Sequence, residues 1–500
     1  MNKTEALKTY RQFNEKIQAY FMVIGTTDFD RMTVAPRGGA EHRNKMLSIV
    51  QGELFTIMTD PKYVEAVNYL STLDLGKERN RDIALAKKRL DDTLIFSKEE
   101  TMEYSLAQMN SYEAWYEAKN TDNYAIFKPH LMKLIDLSLK RYNKRDPKKN
   151  PYDMALDDYE EGMNRKKYDE FFSLVRKELV PLIKKVNKKQ DAIDDSFLYK
   201  YYPAEKQAKF MKEVTDYLGF TDDWGYMGLT EHPFTTGFSR NDMRITTNYD
   251  EHNITAAIFS VIHETGHAFY GHQIDKKYDN YPYIQMMISS GMHESQSRFF
   301  ENYMGRRKAF FANLYPKLQE LFPENLADVS LDDFIRAVNV SKCSLVRTEA
   351  DELTYPIHIL IRYELEKDIF AGKADLDKLD QLWDEKYKKY LGVKADKASE
   401  GILQDVHWSD ASFGYFPTYA LGSAIGAQIF HQMNKDLDVD KLLEKGQFRK
   451  ISDYLKKNIQ HYGALYDFNQ ILLMATGEEF NPHYYIDYLK DKYTKLYGIK

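Results

Sequence analysis

Cysteine is almost absent: Cys343 is the only one in 500 residues. An internal disulfide framework is therefore excluded, and Val340, Leu345 and Val346 make the surroundings of Cys343 read as core. No stretch approaches 18 uninterrupted apolar residues, so no membrane span is expected. The first ten residues, Met1 to Tyr10, are polar with a helical pattern and lack the apolar run of a signal peptide. Excess charge is small too, since a net −6 and a pI near 6.2 give no electrostatic case for a nucleic-acid partner. There is no repeat, no low-complexity tract and no obvious linker. These absences point to a soluble, cytoplasmic globular protein, with residues 1–500 forming one domain.

Hydrophobic residues at 43% and charged residues at 29% are ample for a large core. Apolar residues recur at helical spacing over most of the chain, beginning with Leu7, Tyr10, Phe13, Ile17, Tyr20 and Phe21. Helices are expected at 40–59, from Pro61 behind Asp60, at 63–70 and 79–94, and in one long run from Lys98 to about Tyr142. The segment from Asn143 to Pro151 breaks that run and reads as a solvated basic connector. Helical spacing resumes at 166–188 and 204–218. Residues 219–250, with alternating pieces such as Met243 to Thr247, read as a small strand-containing insert. The fold class is therefore mainly α, with a minor β element just before the stretch that carries the chemistry.

That stretch is His263-Glu264-Thr265-Gly266-His267 within the apolar segment Ile254 to Tyr270. Histidines at i and i+4 share one helix face and can bind one divalent ion through neutral nitrogens, most often zinc. Glu264 points about 100° further round, placed to reach a water at the ion rather than the ion itself. By composition, 13 histidines in 500 residues would produce this spacing by accident roughly 2–3% of the time. A surface helix would carry it as solvated charge, but Ala256, Ala257, Ile258, Phe259, Val261, Ile262, Ala268 and Phe269 make this helix apolar nearly all round. A catalytic zinc usually takes a third protein ligand and leaves one position open. Glu294, 27 residues after His267 on a second apolar helix read over 284–300, is the first candidate; His293 and Glu301 are alternatives. Metal-assisted amide hydrolysis, with Glu264 as base, follows as the reaction class.

A set of further motifs carries a resemblance. His232-Pro233-Phe234, Asp242-Met-Arg244-Ile-Thr246, His263 to His267, His293-Glu294-Ser295-Gln296, Val346-Arg347-Thr-Glu-Ala350-Asp351 and Gly401-Ile-Leu-Gln404-Asp405-Val-His407-Trp408 occur in this order. Together they resemble the thermostable (Taq-type) metallocarboxypeptidase family of His-Glu-x-x-His peptidases. The matches are dense over 232–408 and loose before that. Where the family has Trp-Asp and Met-Pro near its N-terminus, this chain has Phe29-Asp30-Arg31-Met32 and Ala35-Pro36.

The resemblance implies a helical peptidase domain with a deep groove, which an N-terminal helical subregion within 1–150 can cover. It implies metal ligands His263, His267 and Glu294, a zinc ion or another divalent ion such as cobalt, and Glu264 as general base. Tyr419, with Tyr415 second, is expected to donate to the oxyanion. Arg347 is expected to hold the substrate's terminal carboxylate, Arg244 to close the groove, and His407 and His232 to line the cleft. Peptides with a free C-terminus, broad side-chain preference and a homodimer are implied as well. An oligoendopeptidase of the same fold, which would not need Arg347, and a non-catalytic peptide-binding protein are the alternatives.

Overall fold

The computed structural model describes residues 1–499. It is mainly helical with one three-stranded sheet. The first helix, Lys3–Thr33, starts at a capping box in which the Asn2 side chain accepts from Glu5 N–H and Glu5 reaches back to the cap. The helix Pro61–Leu70 starts with its proline in the first turn and Asp60 as its cap. The N-terminal helices pack on a core of their own, built from Ala6, Tyr10, Ile17, Leu54, Tyr63, Val67, Ile83 and Leu90. Tyr283 and Ala464 from the rest of the chain complete that core. From Trp115 onward the helices share the main core, which surrounds the helix Ile254–Gln273. Ile254, Ala257, Ile258, Val261 and Ile262 have no exposed surface at all, as an all-round apolar helix requires.

Two long helical runs are interrupted. The run from Lys98 to Tyr142 is two helices, Lys98–Asn120 and Tyr124–Arg145. Asp122 turns the chain with φ 53°, and the Asn123 side chain then caps Ala125 N–H. The run from Ile284 to Phe300 is likewise divided into Pro282–Met286 and Ser290–Arg298, with the Ser289 hydroxyl accepting from Met292 N–H. The second piece continues as a wider π turn over Phe299–Met304. Polar capping side chains outweigh apolar periodicity at both breaks.

The insert is a sheet of β1 (Gly225–Leu229), β2 (Thr235–Ser239) and β3 (Asp242–Thr247) in the order β1-β3-β2. β1 runs parallel and β2 antiparallel to the central β3. Met243 and Ile245 are buried, Met243 against Gly271 of the Ile254–Gln273 helix. Arg244, between them, faces the other way and lies over the rings of Phe29 and Phe238.

Candidate metal centre

His263, Glu264 and His267 come from the buried helix Ile254–Gln273, and Glu294 comes from Ser290–Arg298. The two helices touch at Gly266, where a Cβ would fall 2.6 Å from the Gln296 carbonyl oxygen. Only glycine permits that approach, so the third residue after His263 sets how near Glu294 comes to the histidines. Glu294 Oε2 is 3.7 Å from His263 Nε2 and 3.4 Å from His267 Nε2. One donor atom from each of the three residues lies within 4.8 Å of the others.

The outer nitrogens of both imidazoles are occupied. His263 Nδ1 is 2.9 Å from Glu301 Oε2, so that nitrogen carries the proton and Nε2 presents its lone pair to the centre. His267 Nδ1 is 2.6 Å from His293 Nδ1. Burial and the neighbouring His267 push His293 down to about 3, leaving it neutral and able to accept that proton. His293 and Glu301, the alternative ligands on spacing, thus stand behind the two histidines as orienting partners. Arg298 ties this layer together: its Nε donates to Glu294 Oε1 at 2.7 Å and its Nη1 to Glu301 Oε2 at 3.2 Å. Arg306 Nη2 adds a bond to Glu301 Oε1 at 3.2 Å.

Burial alone would raise the two glutamates. Arg298 and the histidines instead hold both well below the usual carboxylate range. For His263, burial opposes protonation, yet Glu294 and Glu301 draw its pKa upward. Three carboxylates, counting Glu264, face two guanidiniums, so the cluster has one negative charge in excess. Converging lone pairs, fixed tautomers and that excess fit a divalent cation with nitrogen and oxygen ligands.

Glu264 is 8% exposed, and its Oε2 accepts from the Thr235 hydroxyl at 2.6 Å. The sheet therefore holds the Glu264 carboxylate from β2, a contact no motif announced.

On the opposite wall, the helix Phe416–Asp436 crosses Ser290–Arg298 at Gly422, where a Cβ would lie 2.6 Å from Glu294 Cγ. This brings Tyr415 and Tyr419 to the centre, their rings 5.1 Å apart. Tyr419 Oη is 3.1 Å from His407 Nε2, while the buried His407 Nδ1 has no partner. Burial pushes His407 down to about 4, so it is neutral.

Arg347 sits beneath Tyr419, its guanidinium 5.1 Å from that ring. Its fork is already engaged, with Nε and Nη2 donating to Asp405 Oδ1 at 3.0 and 2.8 Å and Nη1 to Tyr355 Oη at 3.1 Å. The fully buried Arg362 bonds the other oxygen of Asp405 through Nε at 2.7 Å. Two arginines share one carboxylate and leave a buried positive charge beside the tyrosines. The Tyr355 ring also lies 4.3 Å from the Arg298 guanidinium, linking this pair to the ligand helix.

Arg244 and His232 are not part of this cluster. Arg244 is held by its own Asp242 through bonds of 2.9 and 3.0 Å and lines a cleft of about 430 Å³ with Phe29, Thr33, Trp224 and Tyr226. His232 is exposed in the connection between β1 and β2.

Comparison with known proteins agrees over the whole chain. The profile of the carboxypeptidase Taq (M32) metallopeptidase family matches residues 9–493. Carboxypeptidase 1 of Bacillus subtilis is 39% identical over 493 residues, 98% of each chain. Thermostable carboxypeptidase 1 of Thermus thermophilus is 32% identical over 495 residues, covering 96% of this chain and 97% of that one. The crystal structure of an M32 carboxypeptidase from Deinococcus radiodurans superposes with a TM-score of 0.94 at 31% identity, covering 99% of both chains.

Proposed function

The chain belongs to the carboxypeptidase Taq (M32) metallopeptidase family and is a metallocarboxypeptidase; from that premise we propose how its residues divide the work. His263, His267 and Glu294 hold one divalent ion, zinc or a similar cation such as cobalt. Bound there, the ion supplies Lewis acidity, drawing the pKa of a water toward neutrality and polarising the scissile carbonyl. Glu264 takes the proton from the attacking water at its carboxylate and returns it to the leaving amine, while Thr235 holds that carboxylate in line. Tyr419 donates its phenol to the developing oxyanion, with Tyr415 packed beside it as the second candidate. A donor of this kind contributes roughly 3 kcal/mol to transition-state stabilisation.

The observation that carries the reading is the convergence of three donors and Glu264 opposite two tyrosines and the Arg347–Arg362–Asp405 cluster. The excess positive charge of that cluster is the counterpart for a substrate's terminal carboxylate, delivered through Arg347. His407 lines the cleft beside the substrate backbone and holds the Tyr419 phenol through Nε2. Arg244 and His232 belong to the outer rim, where the sheet meets the first helix. The enzyme acts on peptides with a free C-terminus and broad side-chain preference, as a cytoplasmic homodimer.

Incubation of an unlabelled peptide with and without chelator, followed by mass spectrometry, tests the reading. A ladder of single-residue losses from the C-terminus, abolished by chelator, is expected. Internal fragments would place the chain among oligoendopeptidases, and absence of cleavage would make it a binding protein.

A further inference from the structure

Glu366 has no exposed surface and lies on the helix Tyr355–Phe370, one turn after Arg362. Arg362 is bonded to Asp405 and Gln404 instead, and three neutral donors satisfy the Glu366 carboxyl. Trp408 Nε1 donates to Oε1 at 2.7 Å, while Gly414 N–H and Tyr152 Oη donate to Oε2 at 2.8 and 2.9 Å. Buried polar atoms require such partners, but the choice of partners here is not ordinary packing.

Two of the donors are the ends of one loop. Trp408 follows His407 and Gly414 precedes Tyr415, so one carboxyl group clasps the chain beside both residues. Between them the backbone turns at Ala411, φ 62°, and Ser412 N–H returns to the His407 carbonyl at 3.0 Å. Tyr152, the third donor, belongs to the helix Pro151–Tyr159. Gly414 packs against that helix so closely that a Cβ would lie 2.6 Å from the Ala155 carbonyl oxygen. Its φ of 90° also calls for glycine. The clasp is thus fixed from outside the loop. Its effect reaches the cleft by two contacts. The His407 and Tyr415 rings stack at 5.6 Å, and His407 Nε2 is 3.1 Å from Tyr419 Oη.

We propose that Glu366 is a positioning residue for the oxyanion donor. Through Trp408 and Gly414 it sets His407 and Tyr415, and through them the direction of the Tyr419 phenol. The inference rests on the tyrosine-donor reading and adds the residue that aims the donor. An apolar side chain could fill the same space without burying polar atoms. What a carboxyl adds is a pair of acceptors at fixed separation, which holds two chain segments in one register. That register matters because a misplacement of about 1 Å at a reacting group costs on the order of 100-fold in rate.

Glu366→Gln keeps the volume but turns one acceptor into a donor, so it can hold Trp408 or Gly414 and not both. The test is steady-state kinetics of the metal-loaded enzyme on a short peptide with a free C-terminus. In Glu366→Gln, kcat is expected to fall about 100-fold while KM changes less than about twofold and metal content stays native. The same substitution is then combined with Tyr415→Phe and Tyr419→Phe together. Loss of both phenols should lower kcat, and adding Glu366→Gln should lower it no further, because no donor remains to be aimed. A further, multiplied loss would overturn the positioning role while leaving the tyrosine donor standing. An unchanged kcat without the two phenols would overturn both. If Glu366→Gln does not fold, Trp408→Phe removes one donor from the same carboxyl and is expected to show the same split. A raised KM with unchanged kcat in that variant would overturn the proposal.

Discussion

Removing the Glu301 carboxylate, as in Glu301→Ala, tests whether the layer behind the histidines sets the affinity of the centre. Glu301 accepts from His263 Nδ1 at 2.9 Å, Arg298 Nη1 at 3.2 Å and Arg306 Nη2 at 3.2 Å. Without it, His263 loses the partner that fixes its tautomer and ring orientation, and two guanidiniums lose a counter-charge in a largely buried site. Loss of such an outer partner weakens metal binding about 10–100-fold, equivalent to roughly 1.4–2.7 kcal/mol. The substitution also removes a negative charge from a cluster with only one in excess, which pushes the effect toward the larger figure. The assay is competition with a chromophoric chelator at fixed pH, alongside metal content after gel filtration. Glu301→Gln should fall between wild type and alanine, because its carbonyl still accepts from His263 but carries no charge. A melting temperature for the apo-protein separates this effect from general unfolding. Unchanged affinity in Glu301→Ala would refute the argument, and His263 would then owe its orientation to packing alone.

Glu264→Gln should retain its metal while peptide hydrolysis falls by several orders of magnitude; substantial residual turnover would remove Glu264 from the role of base. Arg347→Lys should lower kcat/KM for peptides with a free C-terminus about 10–150-fold, the range for one hydrogen bond to a charged group, and change little for amidated peptides. Equal effects on both would leave Arg347 with only its structural bond to Asp405. Stability should depend on pH through Glu160, whose carboxyl is fully buried, accepts from Gly291 N–H at 2.6 Å and is raised by burial to about 8. An acid raised in the folded state stabilises below its unfolded pKa and loses that contribution as pH climbs to the folded value. The melting temperature should therefore fall between about pH 4.5 and pH 8, and Glu160→Gln should flatten that slope. An identical slope in the variant would show that other groups cause it.

The fold class and the pairing of His263 with His267 on one buried helix face were legible because each rests on a local rule. Two histidines at i and i+4 in an all-apolar segment can be read without knowing any long-range contact, and so can the alternation that marks the sheet. What lay beyond the sequence is what depends on distance across the fold. Thr235 reaches Glu264 from 29 residues away, and Arg362 meets Asp405 from 43 residues away. Nothing in their neighbourhoods marks them, since a threonine in a strand and an arginine in a helix are ordinary. Arg298 had a signal that was there to read, because it stands one turn beyond Glu294 at the i+4 position that favours ion pairs. The breaks at Asp122 and Ser289 were hidden for a different reason. Capping is decided by one polar side chain, and periodicity averages over many.

Arg347 shows how the structure changes a residue-level argument. The family motif presents it as a free cation waiting for a carboxylate, but burial makes such a cation untenable without a partner, since an unpaired guanidinium would be strongly destabilising there. Asp405 answers that need, yet a single carboxylate against Arg347 alone would neutralise the site and leave nothing to attract a substrate anion. Arg362 resolves the conflict. By occupying the second oxygen of Asp405 at 2.7 Å, it restores one net positive charge while every guanidinium keeps a bonded partner. In the proposed mechanism the recognition element for a terminal carboxylate is the three-residue cluster, and its charge balance is open to direct test. Arg362→Met should cancel the surplus charge and raise KM for free C-termini although Arg362 itself touches no substrate. A KM unchanged in a folded Arg362→Met enzyme would mean that Arg347 binds the carboxylate by geometry alone.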